Sequence, residues 1–155
     1  ADGVAGFRII SEGLSRGSRN YEIIGKLLER GAILVRTEDI ARLRQEHAYI
    51  TRIAHAKSLR EKQTAALRYK LARGRLLKQR DAFIAQRIKE TLGDGETGIL
   101  FLGAYHDILP KLPDDIQVIL VKDVAKVREY HQTLATTRRF SPRLQQLALY
   151  LTSPI

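Results

Sequence analysis

The chain has no cysteine, which excludes disulfides, thiolate metal sites and cysteine nucleophiles. A reducing cytoplasm is compatible with this, and the cytoplasm is the expected location. Methionine is absent as well, and the sequence opens Ala1-Asp2-Gly3. The expectation is therefore a processed or truncated piece of a longer protein, in which a missing N-terminal segment could act as a partner. The longest apolar runs, residues 99–104 and 116–121, fall far short of the roughly 18 residues a membrane span needs, and no basic-then-apolar leader opens the chain. No membrane partner is expected. Proline is missing from residues 38–92, where Gly74 is the one glycine, so nothing local forbids helix there. Aromatic residues are scarce in the same stretch. Tyr49, Tyr69 and Phe83 are its three aromatics, too few for a base-stacking platform.

Positive charge is abundant and localised. Of a net charge of +10, residues 36–89 supply all of it, with 15 Lys and Arg against 5 Asp and Glu, while the rest of the chain carries 12 against 12. Residues 57–80 alone hold nine cations and a single acid, Glu61. A run of this kind can track phosphates or an acidic surface. On a helical wheel the cations and the apolar residues Leu59, Ala65, Leu67, Tyr69 and Leu71 are scattered, which argues against a membrane-surface helix and for an exposed arm.

At 155 residues, the chain is expected to form one domain burying about 70% of its unfolded surface. Residues 7–10, 32–35, 98–103 and 116–121 read as short strands. The segment 11–20 between the first two elements reads as a loop. Helices are expected at 21–30, with Ser18 or Asn20 as cap and Gly31 as terminator, and from about 123 to 134 behind the cap Asp123. Another is expected at 142–151, behind Ser141-Pro142. Thr37, with two acids in the turn after it, is the expected cap of a helical excursion over 38–92; one unbroken helix there would be about 80 Å long, far more than a compact chain of this size spans, so it must break or protrude. Breaks are expected near 55–60 and near Gly74. Strands alternating with helices predict an α/β fold: a small, mainly parallel sheet of three or four strands flanked by helices, with the long basic helical insertion leaving it.

In such a sheet, ligands sit at the carboxyl ends of strands. That places Gly103-Ala104-Tyr105-His106-Asp107 at the expected site, with His106 as ligand or general base and Asp107 orienting it. The plainer alternative is that Gly103 makes a turn and His106 caps a short helix over 107–112. Asp81 projects within the apolar stripe Leu77, Ile84, Ile88 and Leu92, with Arg80 at its edge, so both need partners or serve a site. His47 lies among Ile40, Leu43, Ile50 and Ala54 and reads as a packed core histidine. His55 and His131 have no partner at ligand spacing. Gly13, Gly17, Ser18, Arg19 and Asn20 could cradle an anion ahead of a helix, which makes Arg19 and Asn20 candidate substrate contacts.

The stretch "RDAFIAQRIKETL", followed by "GILFLGAYH", resembles the late segment of the TraB, ChaN and erythromycin-esterase-like superfamily. There an Arg-Asp or Arg-Asn pair opens a helix and a later strand ends in Gly-x-x-His. The resemblance spans fewer than 30 residues. It implies an active-site cleft lined by Arg80, Asp81, Gly103 and His106, in metal-dependent hydrolases or haem-binding proteins. The superfamily's earlier Gly-x-x-His has no counterpart in residues 1–35.

Three functions stand as expectations. The first is the C-terminal part of a hydrolase-like or small-ligand-binding protein, with His106, Asp107, Arg80 and Asp81 as catalytic residues, Gly103 beside the ligand and a divalent metal on His106. The second is a non-enzymatic protein that grips nucleic acid or an acidic partner through Arg60, Arg68, Arg73, Arg75 and Lys78. The third is a helical module for homo-oligomerisation.

Overall fold

The computed structural model describes residues 2–136 and 141–154, with side chains from residue 6 onward. Among these residues there are six α-helices, one short 3-10 turn and no strand. The α/β expectation is thereby overturned. Helices α1 (Asp2–Ser15) and α2 (Arg19–Glu29) pack as one pair, α3 (Ile40–Ala54) and α4 (Leu59–Thr91) as a second, and α5 (Val124–Thr136) and α6 (Pro142–Thr152) as a third. The 3-10 turn Leu109–Lys111 touches α4. No helix among the described residues is long and apolar enough to cross a membrane.

Residues 7–10 belong to α1, which also takes up the first half of the predicted loop. Ile10 is buried, and Gly13 lies so close to the Tyr21 ring that a Cβ there would fall 2.1 Å from it. That close approach seats α2 on α1. Both helices end on glycine: at Gly17 (φ 70°) and Gly31 (φ 91°) the chain turns left-handed. The Ser18 and Ala32 amides then donate back to the Gly13 and Leu27 carbonyls, satisfying groups that the helix end leaves open. Ser18 occupies the cap position of α2 without making a side-chain cap bond.

The 38–92 excursion is a helical hairpin with one break, at 55–58, not two. Asp39 caps α3 in place of Thr37, its carboxylate accepting from the Ala41 and Arg42 amides. Ser58 caps α4, accepting from Glu61 N–H at 3.1 Å. The helix then runs 33 residues, about 50 Å, straight through Gly74. A lone exposed glycine costs a helix only about 1 kcal/mol, too little to break one held by packing on both sides of it. Ala65, Ala72, Leu76, Ile84 and Ala85 are its buried apolar residues.

Asp123 and Ser141 cap α5 and α6 as their positions predict. The remaining predicted strands, 32–35, 98–103 and 116–121, have no ladder partner. Residues 98–102 and 117–121 make no backbone hydrogen bond among the described residues. Ile33, Ile99, Ile119 and Val121 are more than half exposed. Their composition suits strands, but a strand needs a neighbour 4.7–4.9 Å away to pair with, and the helices supply none.

Candidate functional site

Two clusters gather the residues singled out from the sequence, and α4 contributes to both. The first is a buried latch. Asp81 is 2% exposed, and its two oxygens are spent separately: Oδ1 lies 2.5 Å from His106 Nδ1, and Oδ2 accepts the Asp107 N–H at 3.1 Å. Arg128 on α5 closes the other side, its guanidinium donating to the carbonyls of Ala104 (2.5 Å) and His106 (3.2 Å). The loop 103–107 is thus tied to two helices by charge-assisted bonds. No hydrogen bond reaches His106 Nε2 among the described residues, and no buried polar side-chain atom lacks a partner, so Nε2 borders solvent.

This geometry alters the roles expected here. Asp81, not Asp107, orients the imidazole; Asp107 contributes its backbone amide and exposes its side chain. His106 does not cap the following turn, whose cap position is Ile108. Gly103 is in ordinary contact with the imidazole, 3.6 Å from a built Cβ, so no close approach demands glycine there. A divalent metal does not fit. No group of three or more His, Asp or Glu that could hold a metal exists among the described residues.

Arg80 lies in a second cluster, away from the latch. Its Nε and Nη2 bind Glu38 in a fork at 2.8 and 2.7 Å, while Nη1 binds Glu46 at 2.5 Å. Glu46 also accepts the Tyr69 hydroxyl at 2.7 Å. Burial of the Tyr69 ring, followed by the bond to Glu46 and its charge, raises the phenol above its ordinary value; the Glu38 hydrogen bond raises the Arg80 guanidinium. These contacts staple α3 to α4. They satisfy the Arg80 charge within the fold, so it is a structural partner of two glutamates.

The cations of α4 contrast with this. Arg60, Arg68, Arg73, Arg75 and Lys78 are exposed, and none forms an ion pair among the described residues. At 100° per residue Arg60, Arg68, Arg75 and Lys78 fall within about 80° of one another. A shallow depression of about 610 Å³ borders Arg75 and Lys78 on that side. Leu67 and Leu71, 58% and 76% exposed, interrupt the charge.

Other expected positions carry less. Arg19 and Asn20 are exposed on the first turn of α2. The Gly17 and Ser18 amides that were to complete the anion cradle donate instead to Leu14 and Gly13. His47 is exposed, with Thr51 Oγ1 3.4 Å from its Nδ1, so it is not a core residue. Arg128, Glu38 and Glu46 were not foreseen. Each lies more than 20 residues from its partner, and only an acid-for-base tally could have hinted at them. Comparison of the chain with protein-family models, curated proteins and solved structures returns no match.

Proposed function

We propose that the protein is a polyanion-binding protein that grips nucleic acid through the outer face of α4. One observation carries this reading: the acids of the hairpin are engaged internally, while the outward cations are not. Glu38 and Glu46 hold Arg80, Asp81 holds the 106–107 loop, and Glu61 accepts the Lys57 amide. Arg60, Arg68, Arg75 and Lys78 therefore face solvent uncompensated on one side of a rigid rod, while Arg73 is exposed on another side. From Arg60 to Lys78 the rod rises about 27 Å, long enough to meet several phosphates of one strand. The sparse aromatics favour backbone contact without base readout.

The test is fluorescence anisotropy with duplex DNA at 50 and 200 mM salt. Four phosphate contacts, from Arg60, Arg68, Arg75 and Lys78, give a log–log slope of about −3.6, so affinity should fall about 150-fold across that interval. Replacing Arg75 and Lys78 with Glu should weaken binding at low salt and flatten the slope. Absence of binding at 50 mM salt rejects the reading.

A second reading keeps the resemblance to the TraB, ChaN and erythromycin-esterase-like superfamily. The Asp81–His106 contact with a solvent-facing Nε2 supports it, since a carboxylate on Nδ1 fixes the tautomer and makes Nε2 a proton acceptor. It predicts hydrolysis of activated esters that His106→Gln abolishes and Arg75→Glu leaves unchanged. Equal background rates in both variants reject it.

A further inference from the structure

We infer that a hollow of about 310 Å³ beside the 55–58 connection, between the end of α3 and the start of α4, is a seat for one phosphate monoester. The inference rests on the polyanion reading and deepens it, naming the group that is held most tightly. Three arginines from two helices line the hollow: Arg52 from the last turn of α3, and Arg60 and Arg68 from α4. All three are exposed and form no ion pair among the described residues. Guanidinium groups present planar pairs of N–H donors that match phosphate oxygens, which ammonium groups do not.

The polar groups between them sharpen the choice of ligand. Glu61 also lines the hollow, but its Oε2 accepts the Lys57 N–H at 2.9 Å, which directs the carboxylate at the backbone. Three guanidinium charges and one carboxylate leave a net charge of +2. A phosphate monoester near neutral pH carries about −1.5 to −2, whereas a phosphodiester carries one negative charge. The charge balance thus selects a terminal phosphate over an internal one. Of the two hydroxyls in the lining, Thr64 gives its hydrogen to the Arg60 carbonyl. Ser58 Oγ accepts from Glu61 N–H, so its own hydrogen remains free to donate to the anion.

The terminal phosphate of a nucleic acid strand and free phosphate share this chemistry, and the experiment separates them. A 3′-labelled single-stranded oligonucleotide, with and without a 5′-phosphate, is titrated against the whole chain at 50 mM salt by anisotropy. The 5′-phosphate should tighten binding about tenfold, the scale of one charge-assisted bidentate contact. Arg52→Ala and Arg60→Ala should erase that difference. Arg75→Ala should weaken both oligonucleotides equally, with circular dichroism confirming intact helix in every variant. Equal affinity of the unmodified chain for both oligonucleotides overturns the seat and leaves the broader reading standing. Should neither oligonucleotide bind, the broader reading fails, and inorganic phosphate titrated alone against amide NMR signals decides the seat. Shifts confined to residues 58–64 that Arg60→Ala removes then identify free phosphate as the occupant, and no shifts overturn the seat.

Discussion

Asp81 shows how one buried carboxylate can set a loop. A charge that is 2% exposed is tolerable only when its lone pairs are filled, and here two separate donors fill them. Asp81→Ala leaves His106 Nδ1 and the Asp107 amide unpaired, and it should cost about 1–3 kcal/mol in urea unfolding. Asp81→Asn keeps one acceptor and should lose less. Tyr69 supplies the pH dependence. Its phenol is raised by burial first and by Glu46 second, so the folded chain favours the neutral form. That contribution is fully present below pH 10, the ordinary tyrosine value, and is lost as pH rises through the higher folded value. Urea midpoints followed from pH 8 to 11 should fall, and Tyr69→Phe should flatten the trend. The sequence showed that Asp81 sits on an apolar stripe and needs a partner. It did not show which partner, because His106 is 25 residues away and the stripe says nothing about what packs over it.

At the scale of elements, helix ends were readable and strands were not. Gly31, Asp123 and Ser141 do what their types dictate, since a cap is decided within four residues. Residues 98–103 and 116–121 carry apolar, β-branched signals as good as any real strand, but pairing is decided by distant backbone, and these segments have none. Residues 7–10 were misread for a related reason. A four-residue apolar run carries too little periodicity to separate helix from strand, and the pairing through Gly13 and Tyr21 settles it. The α3–α4 hairpin offers two measurable consequences. Arg80→Ala strands Glu38 and Glu46 beside each other and should cost about 1–3 kcal/mol. Arg80→Lys keeps the charge without the fork and should recover only part of it. Gly74 lies in helical conformation with nothing within 4 Å of a built Cβ, so Gly74→Ala should raise stability by about 0.5–1 kcal/mol. A loss instead would mean that the backbone at Gly74 departs from regular helix.

The whole molecule exposes more of itself than its mass requires. Its accessible surface is 12378 Å², against about 7,900 Å² expected for a compact monomer of 17.6 kDa. It therefore buries about half of its unfolded surface and not the roughly 70% its length suggested. Among the described residues the fully buried large side chains are Leu76, Ile84 and Leu147, because three helix pairs joined by extended segments cannot enclose a common core as a layered sheet would. Much of the excess is apolar: Phe101, Val118, Ile119 and Val121 are each more than 40% exposed. Monomeric proteins seldom leave such patches in water, and extended apolar segments with unpaired backbone are sites of association. Sedimentation velocity should accordingly show association that grows with concentration, and Phe101→Lys together with Ile119→Lys should suppress it. Salt separates this from the binding of polyanions. The excess charge of the chain lies within residues 36–89, outside both apolar runs. Self-association through the runs should therefore change little between 50 and 200 mM salt, while the grip of α4 on phosphates weakens steeply. Association that collapses with salt in step with DNA binding would instead make α4 the surface responsible for both.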